Sequence, residues 1–411
     1  MKTLFDCFFK KENLWLRILP GFLLGILFGI LFPGFSIAFK VAGDMYLNLL
    51  KMMIIPVVAC SVYCGIANIR DGALLRSIGL RTVLLYVLMF LVSSAVSLGI
   101  VYALRPGLAL RPAEAPVYAG TVDVPTVSSF LLTVFPSNII QAAANGSTLP
   151  VILFAGALAV AAVSLGEGSA LTRGMNALFA ALQKLLGWIM ELTPLGVFSL
   201  MAFAVAEYGA AIFGSLAGYI STCWLCCIAV FFAVMIFPCC LLTGIKPGRL
   251  LKGCGRVALM TLSTTSSAAT LPTTLKVSTE DLGAPEDISG FTLPLGCTIN
   301  MCGGACSFCC LAVFTADFFG VHLSFGTVVY LVLLATLLNM AAPGIPGGGV
   351  VLGASFLSMI GLPVDLMGPI AGVYRLLDMA FTTINVEGDI TANLIIAKQE
   401  ENRAARKKAS S

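Results

Sequence analysis

Long runs without a charged residue are the strongest constraint on how this chain can fold. Three of them cover residues 18–39, 82–104 and 208–245. Each reaches the length of about 20 residues that a helix needs to cross the hydrocarbon layer of a membrane. Apolar side chains make up 59% of the sequence and charged ones only 11%, too little polarity for a soluble surface. We therefore interpret the chain as a single all-α polytopic membrane domain.

The apolar runs predict six helices in the first part of the chain, near 14–38, 42–69, 77–104, 126–165, 171–206 and 211–243. Lysines and arginines gather before the first helix, after the second and after the sixth, and such clusters mark the cytoplasmic side. The basic tail that begins at Lys398 requires an even number of crossings, so we expect two more spans. Both termini are then cytoplasmic, and the first helix is retained because no signal-peptide cleavage site follows it.

Two apolar segments in the last third of the chain are broken by small and helix-breaking residues. They are Met260–Val277 and Asn339–Phe356. Pro272 and the glycines of GIPGGG (Gly344–Gly349) prevent a continuous helix. Irregular backbone at membrane depth is tolerated only against protein or a water-filled cavity. Two such segments in corresponding positions, each followed by a long helix, are typical of transporters built from inverted repeats.

The stretch DMAFTTINVEGD (Asp378–Asp389) is unusually polar for its apolar surroundings. On a helix turning about 100° per residue, one stripe carries Asp378, Thr382, Asn385 and Asp389. A carboxylate near the bilayer centre costs about 3 kcal/mol or more unless paired or hydrated, which favours a ligand or ion site. Asp389 and Asn385 offer oxygen to a hard cation such as Na⁺, and Asp378 can pair with an amine. Hydrogen bonding between helices, the alternative, explains two aspartates poorly.

Other functional classes find little support in the residues. Most of the fourteen cysteines lie in apolar runs, so we interpret Cys223-x-x-Cys226 and Cys306-x-x-Cys309 as packing residues rather than metal or redox motifs. A hydrolase would need a base beside one of the serines, and the single histidine, His322, is poorly placed for that role. We expect no enzymatic activity, no cofactor and no nucleic-acid partner.

The sequence resembles the dicarboxylate/amino acid:cation symporter family, which includes archaeal aspartate transporters and mammalian glutamate and neutral amino acid transporters. Three helix motifs of this family are matched by YLNLLKMMIIPVV (Tyr46–Val58), FPSNIIQAAANG (Phe135–Gly146) and PLGVFSL (Pro194–Leu200). The more specific matches are TTSSAATLP to the first hairpin tip, TINMCGG to the unwound seventh helix, GIPGGG to the second hairpin tip and DMAFTTINVEGD to the eighth helix.

The resemblance implies eight transmembrane helices plus two re-entrant helical hairpins, in a glutamate-transporter-like elevator fold with inverted repeats. Residues 1–245 would form mainly scaffold and trimerisation helices 1–6, of which helices 3 and 6 move with the core. Residues 246–400 would form the transport core, and 401–411 a basic cytoplasmic tail. The implied assembly is a homotrimer in the cytoplasmic (inner) membrane, in contact with its lipids.

The resemblance also implies site residues. Those expected to bind substrate are Ser266, Ser267, Ile345, Gly347, Asp378, Phe381, Thr382 and Asn385. Those expected to bind Na⁺ are Asn300, Asn385, Asp389, Thr298, Met301, Ala341 and Ala342. In this scheme Ser267 meets the substrate carboxylate through its backbone, Asp378 the amino group and Asn385 the main-chain carboxylate.

Two departures from the family pattern narrow the expected substrate class and the expected number of coupled ions. Members that take acidic substrates place an arginine where this chain has Phe381, or supply one from the position of Thr265, and a guanidinium is the usual bidentate partner of a carboxylate. Cys302 stands where the motif has a sodium-binding aspartate. We therefore expect a sodium-coupled symporter for a small neutral amino acid such as serine, threonine or alanine, with fewer coupled ions. An acidic amino acid or C4-dicarboxylate carrier that uses Arg375 is the alternative.

Overall fold

The computed structural model describes residues 14–67, 78–109, 135–165, 170–208, 211–340 and 348–410, and its regular secondary structure there is entirely helical. The principal helices are α1 (Leu14–Leu31), α2 (Lys40–Ala67), α3 (Leu80–Leu104), α4 (Thr148–Ser164), α5 (Ala170–Glu191), α6 (Thr193–Tyr208), α7 (Ala211–Val230), α8 (Pro247–Thr264), α9 (Ser267–Lys276), α10 (Glu286–Ile299), α11 (Cys302–Phe319), α12 (Phe325–Met340), α13 (Gly348–Met359) and α14 (Met367–Ser410).

The first three helices and the sixth agree with the sequence prediction to within a turn or two. The predicted helix near 14–38 ends earlier, at Leu31, before a short helical turn at Pro33. The helix predicted near 211–243 is α7, which continues through a π-helical stretch at Phe231–Ile236 into Phe237–Thr243. Proline in the first turn of that last segment is tolerated there because the first amides of a helix need no partner.

Two other predicted helices are interrupted, so the prediction of one continuous helix is wrong in both places. The described part of 126–165 contains a short helix at Ile139–Ala144 that stops before Gly146, whose φ of +74° is left-handed. The segment predicted near 171–206 is α5 and α6, bent by 51°. Pro194 lies in the first turn of α6, where its ring and its missing amide hydrogen prevent α5 from continuing.

Long apolar spans are present in the described part of the chain. Three stretches are long and apolar enough to cross a membrane, Leu80–Leu108, Leu216–Thr243 and Glu286–Phe319. A fourth results if the bent pair α5 and α6 is one span. Other helices, among them α12, are apolar but shorter. Many large apolar side chains on these helices face outward, as they do in proteins whose solvent is lipid.

Helices α8 and α9 form a hairpin. Only Thr265 and Ser266 separate them, and Thr265 has a left-handed φ of +47° that ends α8. Arg249 and Arg256 on α8 both reach Asp281, which lies beyond the end of α9. Because residues at the start of one helix contact residues past the end of the other, the two helices run antiparallel.

The chain is therefore interrupted within Met260–Val277, but the prediction that Pro272 interrupts it is wrong. The turn is at Thr265 and Ser266, and α9 continues through Pro272, whose missing amide hydrogen removes only one backbone hydrogen bond of that helix.

Helix α14 is the centre of the C-terminal half. It packs against α6, α7, α8, α10, α11 and α13. Almost every α14 residue from Met367 to Ala397 is buried, including its polar ones. A helix that is buried on all sides presents different functional groups to different neighbours, so each polar residue of α14 must be matched by a particular partner helix.

A buried ion pair ties the end of α3 to α11. The Arg105 guanidinium binds the Asp317 carboxylate through two hydrogen bonds, Nε to Oδ2 at 2.9 Å and Nη2 to Oδ1 at 2.6 Å. Asp317 is buried, with its side chain 3% exposed. Arg105 has a left-handed φ of +45°, which turns the chain so that its side chain can reach back to α11. The bidentate geometry is one that lysine does not reproduce.

Replacement of Asp317 by asparagine should destabilise the protein. We expect a loss of about 2 kcal/mol, lower than for a fully buried pair because Arg105 is half exposed. Thermal unfolding of the purified protein in detergent measures it. The matched control is Asp281→Asn, which breaks an exposed pair with Arg256 and should cost no more than about 0.5 kcal/mol. Equal losses in the two variants would contradict the structural importance of the Arg105 pair.

Candidate functional site

A cavity lies where the tip of the α8–α9 hairpin, the junction of α10 with α11 and the helices α12, α13 and α14 meet. Its lining residues are Thr265, Ser267, Met301, Gly304, Ser307, Phe308, Asn339, Gly349, Leu352, Tyr374, Asp378, Phe381, Thr382 and Asn385. The wall thus combines apolar and aromatic surface with a few hydroxyl, amide and carboxylate groups. This mixture is typical of sites for small organic ligands.

The hairpin tip presents the N-terminus of α9 to the cavity. Ser266 is the N-cap, and its hydroxyl accepts a hydrogen bond from the amide of Ala269 at 3.3 Å. Ser267, the first residue of α9, is buried and lines the cavity. The amides of a first helical turn have no partners within the helix and carry the positive end of its dipole. This arrangement suits a carboxylate, as the resemblance implies for Ser267.

The junction of α10 and α11 is unwound, as the resemblance implied for TINMCGG. The helix ends at Ile299, and Asn300 and Met301 leave the helical conformation before α11 starts at Cys302. Asn385 of α14 holds the segment by accepting a hydrogen bond from the Gly303 amide at 2.7 Å. A Cβ on Gly303 would collide with the backbone of Phe381, so only glycine permits this approach.

The polar stripe of α14 faces this junction and the cavity. Asp378, Thr382 and Asn385 line the cavity and are buried. The Thr382 hydroxyl donates a hydrogen bond to the Asp378 carboxylate at 3.3 Å. Phe381 lies between them on the cavity wall, 3% exposed. The carboxylate of Asp378 and the ring of Phe381 therefore belong to the wall of the same cavity.

Asp389 lies farther along the stripe and does not line the cavity. Its carboxylate Oδ1 accepts a hydrogen bond from the Asn300 Nδ2 at 2.8 Å, and the same amide donates to the Asn385 carbonyl at 2.9 Å. A Cβ on Gly296 of α10 would collide with the Asp389 carboxylate and with the Tyr86 hydroxyl. The Tyr86 hydroxyl of α3 thus lies beside the buried Asp389 carboxylate of α14, and both are oxygen groups of the kind that a hard cation prefers.

The replacement of the motif aspartate by Cys302 changes this cluster. The Cys302 thiol donates a hydrogen bond to the Asn300 Oδ1 at 2.9 Å, which engages the amide oxygen of Asn300. The side-chain methyl groups of Met89 and Met235 lie next to Gly388, on the same side of α14 as Asn300. The Cys302 thiol thus stands where the resemblance implies a carboxylate, with apolar methyl groups nearby, and Na⁺ prefers oxygen ligands.

Arg375 connects α14 with the hairpin tip. It is half-buried and lies one turn before Asp378, with which its charge interacts. Its guanidinium donates a hydrogen bond to the hydroxyl of Thr265, a cavity-lining residue. The arginine therefore lies beside the cavity wall at the hairpin tip.

The structure brings together most, but not all, of the expected site residues. Six of them line the cavity: Ser267, Met301, Asp378, Phe381, Thr382 and Asn385. Two more, Asn300 and Asp389, are hydrogen-bonded to each other next to Asn385. Two expected residues point elsewhere. The Ser266 side chain caps α9, and the Thr298 hydroxyl bonds to the Leu295 carbonyl at 2.8 Å. The expected residues Ala341, Ala342, Ile345 and Gly347 lie outside the described residues.

Sequence reasoning missed several residues of the site. Tyr86 comes from the apolar run 82–104 and reaches the carboxylate of Asp389 only because α3 packs beside α10 and α14. Asn339 and Tyr374 also line the cavity. A tyrosine in an apolar helix gives a weak signal, since the same residue also anchors helices at membrane interfaces.

Replacement of Gly303 by alanine should disrupt the site. The added methyl group would meet the backbone of Phe381, which has no flexible end to move away, so we expect a loss of about 2 kcal/mol of stability together with weakened ligand binding. Thermal unfolding in detergent measures the stability, and the increase in unfolding temperature when ligand is added measures the binding. Gly290→Ala, at an exposed helical position with open space around it, is the control and should be neutral or slightly stabilising. Similar behaviour of the two variants would contradict the close contact.

Comparison with known proteins identifies the family. Residues 14–399 match the sodium:dicarboxylate symporter family. The chain is 34% identical over 398 residues to neutral amino acid transporter B(0) of Oryctolagus cuniculus, covering 87% of this chain and 73% of that protein. It is 31% identical over 400 residues to the C4-dicarboxylate transport protein of Deinococcus deserti, and the match covers 95% of this chain and 90% of that protein. The resemblance is therefore confirmed: this chain belongs to the sodium:dicarboxylate symporter family, and it is a transporter rather than an enzyme.

Proposed function

We propose that the chain is a secondary active transporter that carries a small neutral amino acid, such as serine, threonine or alanine, into the cell together with Na⁺. The observation that carries this proposal is that one cavity is lined both by Asp378 and by Ser267 at the N-terminus of α9. An α-amino acid has an ammonium group for the carboxylate and a carboxylate group for the helix N-terminus. The relatives named as neutral amino acid transporters support the same substrate class.

The side chain of the substrate would lie against Phe381. This ring is apolar and buried, and it packs 6.4 Å from the ring of Tyr374 between their centroids. A hydroxyl or methyl side chain fits beside an aromatic wall, whereas a second carboxylate there would lose its hydration without a guanidinium from position 381. Thr382 and Ser307 add hydroxyl groups that suit serine or threonine.

The coupled cation would bind at Asp389. The Asp389 carboxylate and the neighbouring Tyr86 hydroxyl would supply hard oxygen ligands, and backbone oxygens would complete the coordination, as the family resemblance implies. Because Cys302 and two methionines occupy the neighbouring space, we expect fewer Na⁺ ions per cycle than in relatives with an aspartate at position 302. Na⁺ is cargo here, and no resident cofactor is required.

For the architecture we propose eight transmembrane helices and two re-entrant hairpins in the cytoplasmic membrane, with both termini cytoplasmic. Residues 246–400 would be the moving transport core, residues 1–245 mainly the scaffold, and three copies would assemble as a homotrimer. The α8–α9 hairpin and the unwound α10–α11 junction support this arrangement, as does membership of the family. Residues 401–411 would be the basic cytoplasmic tail.

A second candidate function is symport, coupled to sodium or protons, of an acidic amino acid or a C4-dicarboxylate. The specific observation in its favour is the Arg375 guanidinium beside the cavity, bound to Thr265. A small movement of this side chain would bring a cation into reach of a second substrate carboxylate. Several relatives are named C4-dicarboxylate transport proteins, at 27–31% identity.

Uptake of labelled serine into proteoliposomes tests the first proposal. We expect saturable uptake that depends on an inward Na⁺ gradient. Asp378→Asn should weaken serine affinity by about tenfold, the typical value of one charge-assisted hydrogen bond. Asp365→Asn, the same change at an exposed loop aspartate, should leave affinity unchanged. Uptake at the same rate with and without Na⁺ would contradict the proposed coupling. Unchanged serine affinity in Asp378→Asn would contradict the proposed role of Asp378 in binding the amino group.

Competition experiments separate the two substrate classes. If the substrate is a neutral amino acid, excess serine should block uptake and excess aspartate or succinate should not, and Arg375→Gln should leave serine affinity within about twofold because the guanidinium does not touch the substrate. The opposite pattern, competition by aspartate or succinate that Arg375→Gln abolishes, would establish the acidic or dicarboxylate carrier.

A further inference from the structure

Two buried polar groups of the cavity wall form no hydrogen bond within the described part of the chain, the amide oxygen of Asn339 and the hydroxyl of Ser307. Asn339 lies next to the last residue of α12 and is 3% exposed. Its Nδ2 donates a hydrogen bond to the Ala335 carbonyl at 2.8 Å, and this bond fixes the orientation of the amide. The Asn339 Oδ1 is therefore directed away from α12, towards α11.

Gly304 of α11 makes room for this amide oxygen. A Cβ on Gly304 would collide with the Asn339 Oδ1. Residues three and four apart share one face of a helix, so Gly304, Ser307 and Phe308 lie on the same face of α11, and all three line the cavity. We call Asn339, Ser307 and Gly304 the amide corner of the cavity.

The amide corner adjoins the part of the wall that Phe381 forms. Gly303 lies against the backbone of Phe381, and the next residue, Gly304, lies against Asn339. The two contacts are therefore one residue apart at the start of α11. A substrate that places its amino group at Asp378 and its side chain against Phe381 extends towards the amide corner.

Helix packing gives a weak account of Asn339. Its amide nitrogen bonds to its own helix, so this hydrogen bond does not join α12 to α11. A buried acceptor without a donor loses its hydration with no compensation, and an apolar side chain of similar size would avoid that loss. The exposed lone pairs are favourable when a bound molecule donates a hydrogen bond to them.

We propose that Asn339 and Ser307 recognise the side chain of the substrate, and that this side chain carries a hydroxyl group, as in serine and threonine. The substrate hydroxyl donates a hydrogen bond to the Asn339 Oδ1 and accepts one from the Ser307 hydroxyl. An aliphatic side chain leaves both groups without a partner, and a carboxylate places negative charge against an acceptor oxygen. This assignment rests on the proposed amino acid symport and narrows the chemical class of its substrate.

Serine and 2-aminobutyrate isolate this contact, because they differ only in a hydroxyl that is replaced by a methyl group. Inhibition of labelled serine uptake by each unlabelled compound, measured with the full-length protein in proteoliposomes, gives their two apparent affinities. We expect the parent to bind serine at least about tenfold more tightly, since 2-aminobutyrate leaves buried polar groups unpaired. Equal affinities of the parent for the two compounds would overturn the assignment.

Three variants complete the test. Asn339→Leu replaces the acceptor with an apolar group of similar size, so serine affinity should fall by about tenfold and that of 2-aminobutyrate should stay within about twofold. Ser307→Ala removes only a hydroxyl and keeps the comparison available if Asn339→Leu folds poorly; it should weaken serine alone, by about threefold. The matched control is Thr336→Val on the same helix, whose buried hydroxyl bonds to the Val332 carbonyl and does not line the cavity. Both of its affinities should equal those of the parent.

The outcomes separate the side-chain contact from the proposed function. If both compounds lose affinity by the same factor in Asn339→Leu and Ser307→Ala, or if neither compound does, the two residues only shape the cavity. The assignment is then overturned while neutral amino acid transport stands. If the parent takes up labelled succinate or aspartate but no serine, the proposed substrate class itself fails, and the hydroxyl contact fails with it.

Discussion

The hydrogen bonds between α14 and the unwound junction of α10 and α11 are the interaction on which the rest of the site depends. Inside a membrane domain, backbone groups released from a helix must find partners within the protein. Here the Asn385 side chain accepts from the Gly303 amide, and the Asn300 side chain donates to the Asn385 carbonyl and to Asp389. Asn385 therefore satisfies a backbone amide at the start of α11, and Asn300 positions the Asp389 carboxylate.

These hydrogen bonds explain why the proposed substrate and cation positions are adjacent. One face of α14 carries Asp378 and Thr382 towards the cavity and Asp389 towards Asn300, with Asn385 between them. A shift of the junction would move all of these groups together. Coupling of two ligands through one shared element needs only that each ligand favours the same arrangement of that element.

Close backbone approach is the second requirement of the site, and it limits which residues the chain can have there. Gly303 permits contact with Phe381, and Gly296 leaves room for the Asp389 carboxylate beside the Tyr86 hydroxyl. The same narrow spacing lets polar side chains of α3, α10 and α14 meet beyond Asp389. Buried polar groups at such distances are favourable only when all of them have partners, which makes the arrangement sensitive to single substitutions.

Much of this protein follows from its sequence because the membrane restricts what an apolar chain can do. The charge-free runs and the polar stripe of α14 predicted an all-helical membrane protein with a buried polar helix face, since periodicity is a local property. The predicted break at Pro272 was wrong, because α9 continues through this proline and the chain turns at Thr265. Only the tertiary structure decided the hydrogen bond from Arg375 to Thr265, the hydrogen bonds of Asn300 and Asn385 across the junction, and the place of Tyr86 beside Asp389. These features join residues far apart in the chain, and whether two such residues meet depends on how the helices pack, which local patterns do not encode.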